Sequence, residues 1–365
     1  MEMKSRKARW GALALATGMV LTATGVATPA HSAQKKLTIG FVVHVIGNPF
    51  INQIIEGAKA AARDLKVNIR VTGPAGAEGD AQLTAVQNLA AAGVDGIATS
   101  VPSASMLKGL NAVIKAGMPL VQFNGFVDGV NAPYVGEKSV ESGRLLGKMV
   151  LDKIGGTGAK GTVIIGNCFP GFPVLENRSK GVQESLAKAP GIKIVGPSDV
   201  KVDAAANFAA WQGLLAANPK ALAMVGLCAP DVESIGKVNA AIPGSKTIGA
   251  GYDLTTGNLA ALKNGTAQIS LGQTPFIQGY LPVYMLVDSI RNKIKLDKPG
   301  FINAGTEIVT ATSVIEPFGS APLTFARLQK MAASPSLTRI YYDALVKGYV
   351  RDWQKNLKPI ADESA

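Results

Sequence analysis

Twice along this 365-residue chain, short apolar runs alternate with stretches of helical periodicity, and that rhythm restricts the fold more than any other feature. Residues 37–45 (LTIGFVVHV) form a strand-like run, followed over 49–65 by Phe50, Ile54, Ala58 and Ala62 recurring every four positions on one helical face. Further strands are expected over 67–72, 96–100 and 119–124, with helices over 80–92 and 103–116. A second series places strands at 161–167, 192–197, 221–227, 246–252 and 268–271. Its helices fall at 178–187, 204–217, 232–241 and 278–292, with a short segment at 258–262. Alternation of this kind implies parallel sheets covered on both faces, because each crossover lays its helix against the sheet. Two series therefore predict two doubly wound α/β lobes, whose ligand-facing loops lie at the carboxyl ends of the strands. Asn48, Asn124, Cys168, Cys228, Asp253 and Gln273 all stand just past a strand. From about residue 316 the rhythm stops, and a tail with helical periodicity (323–331 and 337–357) closes the chain.

Composition narrows the chemistry. Charged residues are 17 % of the chain, while Gly (41) and Pro (20) are plentiful, which suits buried parallel strands joined by tight turns. Two Cys exclude a disulfide scaffold and a Cys-rich zinc module, and two His leave little for metal or triad chemistry. No metal and no cofactor is expected. The net charge of +12 belongs partly to the amino terminus, where Lys4, Arg6, Lys7 and Arg9 stand against Glu2. The other basic residues form no cluster with interleaved aromatics, so a nucleic-acid surface is not expected. Residues 1–33 have the pattern of a secretory signal: a basic start, an apolar stretch from Trp10 to about Val26, and small residues before a cut near Ala33 or Ala30. With no Cys near that cut, a soluble exported protein is expected, periplasmic in a diderm host.

The segment at 37–51 (LTIGFVVHVIGNPFI) resembles the ribose- and galactose-type solute-binding proteins of ABC importers. Their type I periplasmic binding protein fold is shared with the ligand domains of lactose-repressor-like regulators. The segments at 92–100 (AGVDGIATS), 117–124 (GMPLVQFN), 177–182 (NRSKGV), 248–253 (IGAGYD) and 263–273 (KNGTAQISLGQ) extend the likeness over residues 37–314. The resemblance implies two lobes joined by a three-strand hinge: 34–137 plus 275–306 in one, 138–274 plus 307–315 in the other, and 316–365 as a helical carboxy-terminal extension. The chain would cross near 135–139, return after Gln273 and cross last near 307–314. A sugar or sugar alcohol is the implied ligand, an ABC permease in the inner membrane the implied partner, and a monomer the expected state.

Hydroxyl-rich ligands call for planar bidentate groups and an aromatic wall. By resemblance the ligand-binding set is Asn48, Phe50, Asn124, Arg178, Asp253 and Gln273. Each has a simpler role beside it. Asn48 reads as a helix N-cap before Pro49, and Phe50 as the first core residue of that helix. Asn124 is a strand-end turn residue, Asp253 a cap for the next helix, and Gln273 a bridge between hinge strands. Arg178 is read as opening its helix, where the macrodipole disfavours a cation and so argues for a functional reason. Two positions depart from the family. Asn124-Gly125 stands where many relatives have Asp, often followed by Arg, and Cys228-Ala229-Pro230-Asp231 replaces a usual Asn-Asp. Phe169 and Phe172 in the segment CFPGFP (168–173) are either a second aromatic wall or packing for a Pro-rich loop. Cys168 and Cys228 end strands that are neighbours in a doubly wound order, so they form either a disulfide or two buried thiols.

Enzyme-like motifs are misplaced. GTGAKG at 156–161 satisfies G-x-G-x-x-G but precedes a strand, whereas dinucleotide binding needs it after one. GSKT at 244–247 lacks the first glycine of a phosphate loop. His44 lies in a strand run, which suits a buried or cleft-lining role. The expectation is therefore a non-enzymatic binding protein. The alternatives are a receptor for a small furanone-like signal, an NAD-using enzyme, and an exported structural or adhesive protein.

Overall fold

The chain's first lobe is built as β1 (Thr38–Val42), α1 (Pro49–Asp64), β2 (Asn68–Thr72), α2 (Gly79–Ala91), β3 (Gly96–Thr99), α3 (Leu107–Lys115), β4 (Leu120–Phe123) and β5 (Pro133–Gly136). These elements belong to a computed structural model that describes residues 36–76, 78–315 and 323–364; the expected signal segment lies outside the described residues. The second lobe follows as α4 (Ser139–Lys153), β6 (Lys160–Asn167), α5 (Pro173–Leu186), β7 (Gly191–Asp199), α6 (Ala204–Ala217), β8 (Ala223–Gly226), α7 (Asp231–Ala240), β9 (Ile248–Tyr252), α8 (Thr256–Lys263) and β10 (Ile269–Gly272). The chain then returns through α9 (Pro275–Asn292) and β11 (Gly300–Asn303) to the first sheet, and crosses again into β12 (Glu307–Val309).

The two six-stranded sheets have matching orders, β11-β5-β4-β3-β1-β2 and β12-β10-β9-β8-β6-β7. All pairs in the first sheet are parallel. In the second only β12 runs antiparallel, against β10. In each sheet the winding reverses at the first strand, between β1 and β3 and between β6 and β8. Such reversals open a crevice at the carboxyl ends of the strands. Strands β3, β4, β5, β8 and β10 are buried along their whole length, as expected for apolar runs covered on both faces.

Helix α4 was not foreseen in the sequence, and its glycines explain why. A Cβ on Gly143 would lie 2.3 Å from the Arg178 carbonyl oxygen, and one on Gly181 of α5 would lie 2.1 Å from that of Val140. Facing glycines let α4 and α5 cross backbone to backbone. The first lobe repeats the device: Gly57 of α1 faces Phe276, and Gly279 of α9 faces Ile54 at 1.8 Å. Helix α5 also begins at Pro173, five residues ahead of the expected start, with Pro at its first position. The last crossing lies between Asn303 and Glu307. Gly156–Gly158 forms a single tight turn before β6, in keeping with the misplaced glycine motif.

The carboxy-terminal extension is helical but opens with a small hairpin, β13 (Val314–Ile315) against β14 (Leu323–Thr324). It continues as α10 (Phe325–Ala333), α11 (Thr338–Tyr341), α12 (Asp343–Arg351) and α13 (Trp353–Asn356). Leu328, Met331, Tyr342, Val346 and Trp353 are buried in one apolar core with α1 and α9 of the first lobe and Leu259 and Leu262 of α8 in the second. Trp353 Nε1 donates to Asp288 at 2.9 Å, and the Tyr342 hydroxyl donates to the buried Glu307 carboxylate. Lys358 pairs with Phe301 on the edge strand. Glu363 accepts from the Ser139 amide at 3.2 Å and from Asn177 at 3.1 Å, so the tail ends on the second lobe.

Candidate functional site

At the carboxyl end of β4, Asn124 takes a left-handed conformation (φ 58°), and at the end of β9 Asp253 does the same (φ 71°). Non-glycine residues rarely hold that region, and such strain gathers where a side chain must be aimed. Both side chains meet Gln273. Asn124 Nδ2 donates to Gln273 Oε1 at 3.1 Å, and Gln273 Nε2 donates to Asp253 Oδ1 at 2.7 Å. Gln278, in the first turn of α9, accepts from Asn124 Nδ2 at 3.0 Å and donates to the Gln273 carbonyl at 2.6 Å. This chain of amides and one carboxylate joins the first lobe (Asn124, Gln278) to the second (Asp253, Gln273), and all four side chains are buried.

Arg178 lies at the ends of β8 and β9. Its Nη1 donates to the Leu227 carbonyl at 2.7 Å, its Nε pairs with the buried Glu137 carboxylate, and its guanidinium lies 3.9 Å over the Tyr252 ring. Burial works against its charge, but Glu137 and the nearby Asp253 keep it protonated. Its Nη2 is buried without a hydrogen-bond partner among the described residues, a donor left for something else. Arg178 sits inside α5 rather than at its start, so the macrodipole argument made from the sequence does not hold. Asp253 is pushed up to about 6, chiefly by burial and against the pull of Arg178 and Gln273. It does not cap α8; Thr255 does, accepting from the Asn258 amide.

Phe50 shares a small pocket with Asp253 and Gln273. Asn48 holds the N-cap position of the helix that carries Phe50. Its Oδ1 caps α1, accepting from the Phe50 and Ile51 amides at 2.9 and 3.3 Å. The structure thus brings Phe50, Asn124, Asp253 and Gln273 together, sets Arg178 within electrostatic reach of Asp253, and gives Asn48 a capping role. Glu137, Tyr252 and Gln278 complete the site and were missed from the sequence. A strand-end position was available as a signal for Tyr252, but none distinguished Glu137.

Cys168 and Cys228 are joined in a disulfide with Cα atoms 6.1 Å apart, which selects one of the two readings left open. The β6–β8 register places Gly166 beside Gly226, so two residues further on the cysteines stand opposite each other. Asp231, the acidic residue retained beside the missing Asn, is spent internally. It accepts from Asn207, Trp211 and the Cys228 amide at 2.7, 3.0 and 2.8 Å, and burial raises it to about 6. Among the described residues no group of three acidic, His or Cys side chains is placed to hold a metal ion.

The two-sheet architecture has counterparts among known proteins. Residues 39–294 match the model of the periplasmic binding protein domain. The xylose/arabinose-binding protein of Sulfolobus acidocaldarius is 23 % identical over 313 residues, covering 80 % of this chain and 74 % of that one. A glucose-galactose binding protein from Geobacillus stearothermophilus superposes with a TM-score of 0.69 at 25 % identity, over 76 % of this chain and 98 % of the other. An ABC transporter solute-binding protein from Burkholderia graminis, solved with D-arabinose, gives 0.69 and 25 % over 75 % and 95 %. The family match spans most of the chain, from β1 through α9, and takes in the strand ends that carry the polar network: the chain belongs to the periplasmic binding protein family.

Proposed function

We propose that this chain is an exported solute-binding protein that closes its two lobes on a sugar or sugar alcohol and delivers it to an ABC-type permease. The observation that carries this reading is the buried relay Asn124–Gln273–Asp253, with the unpartnered Arg178 Nη2 beside it. Amides, a carboxylate and a guanidinium are the groups that match hydroxyls, which both donate and accept. The sugar names and sugar complex of the similar proteins support the same ligand class. Because the polar side chains come from both lobes and are buried, a guest reaches them only while the lobes stand apart. Binding then shifts an open–closed equilibrium, since only the closed form completes the hydrogen-bond set. Each polar group left unpaired in that closed site costs about 1–3 kcal/mol, so epimers should be discriminated sharply. The basic-then-apolar amino terminus supports export, and a single copy with the closed outer surface read by the permease completes the proposal.

Calorimetry and thermal-shift assays on the chain starting at Gln34, with a panel of pentoses, hexoses, deoxysugars and C4–C6 polyols, test this. Saturable one-to-one binding of a panel member is expected; silence across the panel overturns the reading.

A further inference from the structure

The loop after β6 sends an aromatic side chain across the cleft. Phe172 belongs to the second lobe's core, yet its ring stands edge-on to His44 of the first lobe at 5.3 Å between centroids. It also covers Gly125: a Cβ there would lie 2.4 Å from the ring. His44 follows β1 and bonds through Nδ1 to Ser100, just past β3, at 3.0 Å, which is the winding reversal of the first sheet. Cys168 and Cys228 mark the reversal of the second sheet, between β6 and β8, and their disulfide anchors the loop that carries Phe172. The two crevices where a ligand is expected therefore meet through an aromatic ring and a glycine.

Resting on the sugar-binding reading, we propose that Phe172, received by Gly125 and His44, selects the ligand, favouring a sugar with no hydroxymethyl oxygen at that end. Suitable guests are a pentose or a terminally deoxygenated hexose. The polar demands of the site are concentrated at Asn124, Asp253, Gln273 and Arg178. The Phe172 corner offers instead an aromatic face, and a His44 ring that burial lowers to about 4 and so keeps neutral. A terminal hydroxyl placed against that face loses its water without gaining a partner. A methyl or a bare ring carbon loses nothing. Gly125 is what admits the ring, because any side chain there occupies its place.

The test is calorimetry with matched series that differ only at the terminal carbon: D-glucose, 6-deoxy-D-glucose and D-xylose; D-galactose, D-fucose and L-arabinose; L-mannose and L-rhamnose. In whichever series binds, the members lacking the terminal hydroxyl are expected to bind at least about tenfold tighter, the scale set by one unpaired polar group. Phe172→Ala should reduce that ratio below about threefold while binding persists, and Phe172→Leu should keep it. Gly125→Ala should weaken every member, and adding Phe172→Ala should restore them. A preference for the hydroxylated member, or a ratio unchanged in Phe172→Ala, overturns the inference and leaves the sugar-binding reading standing. The same holds if the only sugars that bind lie outside these series and carry a terminal hydroxymethyl group. If no sugar or polyol binds at all, the functional reading fails and this inference with it.

Discussion

Asp253 shows how one residue can serve binding at the expense of stability. Its carboxyl is raised from the ordinary 3.8 to about 6, so between those values the folded state holds a proton that the unfolded state has released. Its contribution to stability is therefore full below about pH 4 and is lost as pH rises through 6. At neutral pH the ionised, buried carboxylate is kept for what it can accept. Asp253→Asn should raise the melting temperature of the ligand-free protein at pH 7.5 by a few degrees, with little change at pH 4, while sugar binding falls at least about a hundredfold through the lost charge-assisted bond. Differential scanning calorimetry at the two pH values, paired with titration calorimetry, reads both. A variant that melts lower at pH 7.5, or binds as well as the parent, would contradict this account. At this scale the sequence was readable at three polar residues that follow strands: Asn124, Asp253 and Gln273 do meet. It was silent on Glu137 and Gln278, which reach the site through the hinge crossings, because partners 41 and 154 residues away leave no local periodicity.

Elements were legible where apolar spacing was regular and hidden where packing demanded small residues. Helix α6 carries its expected bounds, Ala204–Ala217, with Asp203 capping two amides. Helix α4 was obscured by Gly143 and Gly147, which lower helix propensity but allow close approach to α5. The same contact fixes α5, and with it Arg178. A methyl group at Gly181 must push α4 and α5 apart, because what it meets is backbone rather than a flexible side chain. Gly181→Ala should therefore destabilise by about 1–3 kcal/mol despite its better helix propensity, and should displace Arg178 enough to weaken binding. Urea unfolding measures the first effect. Stability equal to or above that of the parent would show that the crossing is looser than described.

On the scale of the molecule, the sheet order and the two-lobe plan follow from the strand–helix alternation and the resemblance, whereas the tail's role needed the structure. Its helical periodicity gave no hint that it would share a core with both lobes. Leu328, Met331, Tyr342, Val346 and Trp353 are all buried there, and losing such side chains costs roughly 2–5 kcal/mol each, together on the scale of the 5–15 kcal/mol of a whole domain. A chain ending before Leu323 is expected to lose cooperative thermal unfolding; a sharp transition near the parent's would refute that. The tail touches α1 and α9 of one lobe and α8 and α4 of the other, so it rides on the hinge that the proposed function requires to move. The central claim is that movement. Small-angle X-ray scattering of the chain from Gln34, with and without a saturating concentration of the tightest-binding sugar, measures it directly. The account predicts a smaller radius of gyration and a shorter maximum dimension with sugar. Superimposable profiles, in the same samples that calorimetry shows to be saturated, would contradict it.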